Sequence, residues 1–490
     1  MTAAPESPAG PRTPRAIGWL FDAAERLEAA CGLGPPGSQA RYDSQHDHFL
    51  GTFGLPFHHA LGAVACAAVA GPVGAVELAG ALAAGVFVAR LPFVWRMWPA
   101  VARQPACVLA AALLAWIAAS AVINGRPPSS AVYDLGYGRW AWALFALHPA
   151  LGRRGWLIGA VCVGFALAFV AQALELIGHR AGVPALVWSH PPAPDPGARV
   201  SGWWHQPAIG GVMCAVAVGL HIGPALAGRG WRRWAGVAGA GAGLAGAALT
   251  GSRGGMIAAA GVACVAAALV VVSAGAAVRR RVLIGVVAGA AVLGAGVASP
   301  PGAPVRERFG RAWREVGRAV EERDFRSDTG ARVFAAIVAR GAFAERPVAG
   351  IGPGRFNERA RAAAAGLPPG RALPEHRLAA LKTAHGTVQH ALATLGVVGA
   401  ALVVSLWGVG VLGGLVCARR AHPGASFDGL VGTYAFAPVL GLVALALGGV
   451  FETVHLNAST AAVATVLVGL CAFGCPRPGP SLRPGPVSGT

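Results

Sequence analysis

Apolar runs long enough to cross a bilayer recur along almost the whole chain, separated by short arginine-bearing breaks, and this pattern restricts the fold more than any other feature. In hydrocarbon every backbone N–H and C=O must find its partner inside the protein, which leaves helices and closed barrels as spanning structures. Runs of about twenty apolar residues have helix length. Of 490 residues, 55% are hydrophobic and 12% charged, whereas soluble domains carry about 25% charged residues. The fold class read from this is all-α: a polytopic transmembrane helical bundle.

About twelve spans are expected, at 53–70, 73–90, 105–123, 131–150, 155–178, 206–227, 234–251, 254–275, 281–299, 386–416, 428–450 and 456–474. The first two abut at Gly71-Pro72 and read either as a tight hairpin or as one bent element. Ala, Gly and Val dominate many spans, and small residues let helices approach closely in lipid. Residues 1–52 read as a cytoplasmic N-terminal segment whose stretch 16–31 is amphipathic and lies along the interface. No cleavable signal peptide is expected there, because the opening segment is polar and Pro-rich. Residues 53–299 would hold nine spans and 385–474 three more, with a Pro/Gly-rich disordered cytoplasmic tail at 475–490.

Orientation follows from the arginines. With a cytoplasmic N-terminus, the inner loops hold thirteen of them: Arg90, Arg96, Arg103, Arg153, Arg154, Arg229, Arg232, Arg233, Arg279, Arg280, Arg281, Arg419 and Arg420. The short outer loops hold four, Arg126, Arg180, Arg199 and Arg253. The positive-inside rule therefore places both termini in the cytoplasm. The one large hydrophilic insertion, 300–384, then lies outside as a cap, with helical patterns at 304–323 and 329–345. It holds sixteen Lys/Arg and nine Asp/Glu, a surplus of positive charge that attracts a polyanionic ligand or anionic lipid.

The formal net charge is +19. Its clustering between apolar runs suits membrane orientation and lipid head groups, and no nucleic-acid partner is expected. The nine cysteines lie mostly inside apolar runs, where a thiol acts as a small hydrophobe. No metal site is expected: the chain shows no acid cluster for Mg²⁺ near its polar motifs and no zinc-ligand spacing.

A few polar residues at the span edges could carry chemistry. Arg253 stands in LTGSRGGM between two apolar runs, a costly place unless it is paired or lines a wet cavity. The flanking glycines allow a ligand to approach, and a guanidinium there could grip phosphate through two N–H groups. Snorkelling to the surface is the plainer reading. His385 lies where the cap re-enters the bundle, with Gln389 and His390 close behind; histidine is the side chain suited to taking a proton near neutral pH. Arg332 sits in a helix capped by Ser327, Asp328 or Thr329 and followed by a Gly/Pro turn. Arg139, inside the fourth apolar run with Asp134 nearby, reads equally as structural or functional. Trp203 and Trp204 suit an aromatic belt or a sugar platform, and Glu452 with His455 forms a further polar cluster on the outer side.

Three segments carry a family resemblance. TGSRGG resembles a Ser-Arg motif at the start of a span. GARVFAAIVARGAFAERPVAGIGPGRF resembles an arginine-bearing helix followed by a Gly-rich turn ending in Phe. AHGTVQHALATLGVVGA resembles a His-led entry into the next span. In this order, around an external loop, they resemble the O-antigen ligase and polymerase family of GT-C-type glycan transferases, over about residues 200–420. One departure is Gly386, where the family usually has Asn.

The resemblance implies an enzyme of the bacterial cytoplasmic (inner) membrane that works on its outer face without a cofactor. Its donor would be a glycan on undecaprenyl diphosphate, its acceptor another glycan or a lipid core, in a setting of membrane lipids. His385 would be the catalytic base, and Arg253 and Arg332 would hold the diphosphate. Arg139, Gln389 and His390 join them as substrate-binding candidates. Ligase, polymerase and protein O-oligosaccharyltransferase stay open within the family. A lipid-linked glycan flippase is the alternative of another class, though the internal repeat common in transporters is not evident.

Overall fold

The computed structural model describes residues 54–89, 102–126, 154–183, 199–204, 206–299, 303–368, 370–422 and 424–472. The amphipathic stretch 16–31, the apolar run 131–150 with Asp134 and Arg139, His205 and the tail 475–490 lie outside these residues.

Among the described residues the regular structure is helical, without strands. The first half comprises α1 (Gly54–Ala68), α2 (Val73–Ala89), α3 (Pro105–Ile123), α4 (Arg154–Ala181), α5 (Pro207–Ala227), α6 (Trp231–Thr250), α7 (Arg253–Ser273) and α8 (Ala276–Ala298). Then come α9 (Ala303–Gly317), α10 (Asp328–Glu345), α11 (Phe356–Ala365) and α12 (Glu375–Ala380). The chain returns through α13 (Thr387–Ala421), α14 (Phe427–Val431), α15 (Ala437–Gly448) and α16 (Ala458–Ala472). Five of these, α3, α4, α5, α7 and α13, are long and apolar enough to cross a membrane, and shorter apolar helices occur at Val73–Leu82, α15 and α16. α1 and α2 are separate, turning at Gly71-Pro72 with the Gly71 N–H donating to Ala68 O at 2.8 Å.

α5 is the axis of the bundle. From Ile209 to Leu220 it is buried all round, against α6, α7 and α15, as expected for a stretch with no solvent or lipid face. Glycine makes this density possible: a Cβ on Gly211 would lie 2.5 Å from that of Ser252, and one on Gly255 would lie 2.5 Å from the Gly211 backbone. The starts of α5 and α7 therefore touch through backbone. The outer helices instead expose apolar side chains, among them Leu78, Val108, Leu167, Val170 and Ile257, the surface that lipid would cover.

α9–α12 form a cap over the end of the bundle where α7 and α13 begin. It has its own core, in which Phe325, Phe334, Val338, Ala342, Phe356, Leu373 and Leu381 pack together. α10 starts in regular fashion, with the Ser327 hydroxyl accepting from the Gly330 N–H at 2.9 Å.

α13 departs from the single uninterrupted span that its apolar run suggests. Gly396, at φ 68° and ψ −167°, breaks the helix in its third turn. The backbone groups released there are taken up by other elements. Ala393 O accepts from Ile351 N at 3.0 Å, Thr394 O from Gly352 N at 3.0 Å, and Val397 N donates to Pro347 O at 2.8 Å. Leu395 O accepts from the Trp116 indole N–H of α3 at 2.8 Å. This satisfies the rule that non-helical backbone at membrane depth must be paired within the protein. The Gly/Pro turn after α10 is thus a wedge seated in the break of α13. Its other side is held by Ser120, which donates to Ala349 O at 2.8 Å, and by Asn124, which donates to Gly350 O at 3.2 Å.

Candidate active site

The connection from α6 to α7 shows why the sequence reads Thr-Gly-Ser-Arg-Gly-Gly. Gly251 closes α6 in the left-handed conformation at φ 59°, where a side chain would be strained. Ser252 caps α7, its hydroxyl accepting from the Gly255 N–H at 3.2 Å. Gly254 lies under the Phe451 ring, leaving no room for a Cβ. Arg253 is thereby placed at the first position of α7 and directed at the cap. Its Nη2 donates to Thr329 Oγ1 at 3.1 Å and its Nη1 to Arg308 O at 3.4 Å. Glu315 and Asp328 are the nearby opposite charges, Arg332 and Arg199 the nearby like ones.

One turn beyond Thr329 on α10, Arg332 reaches the hairpin between α15 and α16. Nη1 donates to Phe451 O at 2.6 Å and Nη2 to Glu452 Oε1 at 2.5 Å. The second oxygen of Glu452 faces His385, with Nδ1 to Oε2 at 3.9 Å. Arg332, Glu452 and His385 thus form a line of alternating groups drawn from three distant segments. Burial opposes a charge on Glu452, but the His385 imidazole and the Arg332 guanidinium outweigh it and hold the carboxyl below the usual carboxylate range.

His385 adopts φ 56°, a left-handed conformation uncommon outside glycine and costing on the order of 1–3 kcal/mol. Its neighbours hold it there. Thr387 N donates to Gly449 O at 2.6 Å, and the Thr387 hydroxyl donates to Glu452 O at 3.0 Å while accepting from Val454 N at 3.0 Å. On the other side, His390 Nδ1 accepts from Ala384 N at 3.3 Å. The connector is pinned at both flanks. The His385 side chain retains 32% of its exposure and Arg332 38%, against 12% for Glu452, so the two outer groups open to a ligand while the carboxylate between them is shielded.

The candidates separate accordingly. Arg253, Arg332 and His385 gather at one end of the bundle. Gln389 is half-buried beside Gly386. His390 is buried, packed between the rings of Phe356 and His455, where it braces the connector. His455 is pushed down to about 4 by burial and so is neutral near pH 7. A Cβ on Gly386 would lie 3.0 Å from Val450 O and 3.1 Å from Gln389 Oε1, so the same hairpin that carries Glu452 crowds that position. Trp204 is buried and the 199–204 segment is tied down, with Gln172 donating to Val200 O at 2.8 Å and Glu175 accepting from Gly202 N at 2.5 Å. Among the described residues, no three His, Cys, Asp or Glu side chains are grouped to hold a metal ion.

Two residues gain a place that sequence reading had not assigned. Glu452 was visible only as part of a polar hairpin, and nothing local points to Arg332, 120 positions away. Thr329 stood out only as a candidate helix cap.

Compared with known proteins, residues 237–404 match the family model described as O-antigen ligase. The match begins inside α6 and ends in α13, so it takes in Arg253, Arg332 and His385 but stops short of Glu452. No curated protein matches the chain.

Proposed function

From a membrane protein that carries an O-antigen ligase domain, we propose a glycosyltransferase that moves or polymerises an undecaprenyl-diphosphate-linked glycan at the outer face of the bacterial cytoplasmic membrane. The convergence of Arg253, Arg332, His385 and Glu452 at the cap end of the bundle carries this reading.

In the reaction, an acceptor hydroxyl attacks the anomeric carbon of the donor sugar. The bond from that carbon to the diphosphate oxygen breaks, its electron pair leaves with the diphosphate, and the hydroxyl proton passes to the enzyme. His385 receives it. Its Nδ1 faces Glu452, so Nε2 is the nitrogen on the side away from the carboxylate, and the carboxylate stabilises the imidazolium that forms. A single displacement of this kind inverts the anomeric centre.

Arg253 faces the leaving diphosphate. A guanidinium fixed before the reaction stabilises developing phosphate charge without reorganising. Arg332 has two N–H groups engaged by Phe451 and Glu452. It holds the carboxylate against His385 and adds its charge to that of Arg253. Gln389, half-buried beside Gly386, would contact the acceptor.

The test is reconstitution of the full chain with an undecaprenyl-diphosphate glycan and either a second lipid-linked glycan or a lipid core as acceptor. Product on the first marks a polymerase and product on the second a ligase. His385→Ala should lower transfer by about 10²–10⁴-fold, the range for a lost general base. Full transfer by that variant at normal expression would remove the base assignment. Movement of glycan across liposomes with no joining to any acceptor would favour a transporter instead.

A further inference from the structure

At the end of the bundle opposite the candidate site, a cleft of about 730 Å³ opens between the start of α6, the first turns of α8, and α14. Arg229, Arg232, Arg233 and Arg281 line it, with Asp428 as the acid among them. His422 is also in its wall, close enough to Arg232 for that charge, after burial, to depress its protonation. The Arg281 Nε donates to Ala277 O of its own helix at 3.3 Å, which leaves the end of its guanidinium for the cleft. Leu226, Val237, Val278 and Val282 add apolar side chains to its lining.

Two further observations say what such a cleft would hold. Trp231 lines it and Trp234 follows one turn on, both more than 70% exposed. Exposed tryptophans at a helix start mark the level of lipid head groups. The opening is therefore at the depth of lipid phosphates, with apolar Val278 and Val282 beside the arginines. A free anion would use the arginines but not these apolar side chains.

We propose that this cleft binds the head group of an anionic phospholipid, with its phosphodiester among Arg232, Arg233 and Arg281 and its glycerol end over Val278 and Val282. Arginine clusters between helices at the cytoplasmic surface suit such head groups. The site is remote from His385 and is independent of the transferase reading.

Native mass spectrometry of the purified full chain, titrated with phosphatidylglycerol or phosphatidylcholine, tests it. Arg232→Gln/Arg281→Gln should weaken phosphatidylglycerol retention by about thirtyfold, the factor expected for two basic residues at an anionic surface. Arg279→Gln/Arg280→Gln removes equal charge from the same helix start outside the cleft and should change retention little. Thermal unfolding checks that both variants are folded, and either cleft substitution alone replaces the double if it is not. Equal losses in the two doubles, or equal retention of phosphatidylcholine, would overturn the proposal. Displacement of bound lipid by millimolar inorganic phosphate would overturn the lipid assignment and leave a simple anion site.

Discussion

Glu452 governs the electrostatics of the candidate site. It is the shielded member of the cluster, and its charge is set by its partners rather than by water. Because its folded-state pKa lies below the unfolded value of 4.5, the stabilisation it supplies is fully present above that value. It is lost as pH falls through the lower, folded value. Thermal midpoints measured from pH 7 down to pH 3 should fall more steeply for the wild type than for Glu452→Gln, which has no carboxylate to protonate. At neutral pH the same variant should lose transfer activity, since Arg332 and His385 no longer share a counter-charge. Parallel pH curves for the two proteins would show that the Arg332 contact contributes nothing to stability. Gly386 belongs to the same account: a side chain there would press on the hairpin bearing Glu452, which gives a physical reason for the departure from the usual Asn.

At the scale of elements, the break in α13 decides where the connector begins. The half-helix from Thr387 to Leu395 carries Thr387 and His390, and its direction is fixed by the turn seated at Gly396. A Cβ on Gly396 would meet Val348 O at 2.1 Å, at a φ that side chains rarely adopt. Gly396→Ala should therefore cost at least about 1–3 kcal/mol from backbone strain alone. Trp116→Phe would leave Leu395 O without its donor, costing about 1–3 kcal/mol if water cannot reach it. Both are measurable as lowered thermal midpoints in detergent, and an unchanged midpoint for Trp116→Phe would mean that Leu395 O finds another partner. The sequence showed the pieces of this device without the device. The Gly/Pro turn, the apolar run of α13 and the third span each have a local signature in composition or period. That they interlock depends on contacts as far apart as 279 positions, which no local periodicity encodes. The motif residues were legible because charge and glycine at a span edge are conspicuous in themselves. The hydrogen-bonding side chains of α3 were not, because Trp, Ser and Asn in an apolar run look the same whether they face lipid or a neighbouring loop.

For the whole molecule, the helix directions put the two charged regions at opposite ends. α5 starts beside Ser252 and ends beside Val431 and Gly432, so the ends of α6, α8 and α15 lie with the cap and the starts of α6, α8 and α16's far turn lie with the arginine cleft. Arg154 also belongs to that far end. It is buried, donating to Leu470 O at 2.7 Å and Ala435 O at 3.1 Å, and so caps the closing turn of α16, where a cation is favoured. By the positive-inside rule, the asymmetry of thirteen arginines to four predicts a cytoplasmic far end. That orientation would put the cap, the cluster around His385 and any glycan it handles outside. In a background lacking the native cysteines, Ala362→Cys in α11 should react with a membrane-impermeant maleimide in spheroplasts, whereas Arg280→Cys should react only after lysis. Both positions are exposed, so access is decided by sidedness and not by packing. The reverse pattern would place the cap in the cytoplasm. A lipid-linked glycan presented on the outer leaflet could then not reach Arg253 and His385, and the transferase reading would fail with the topology.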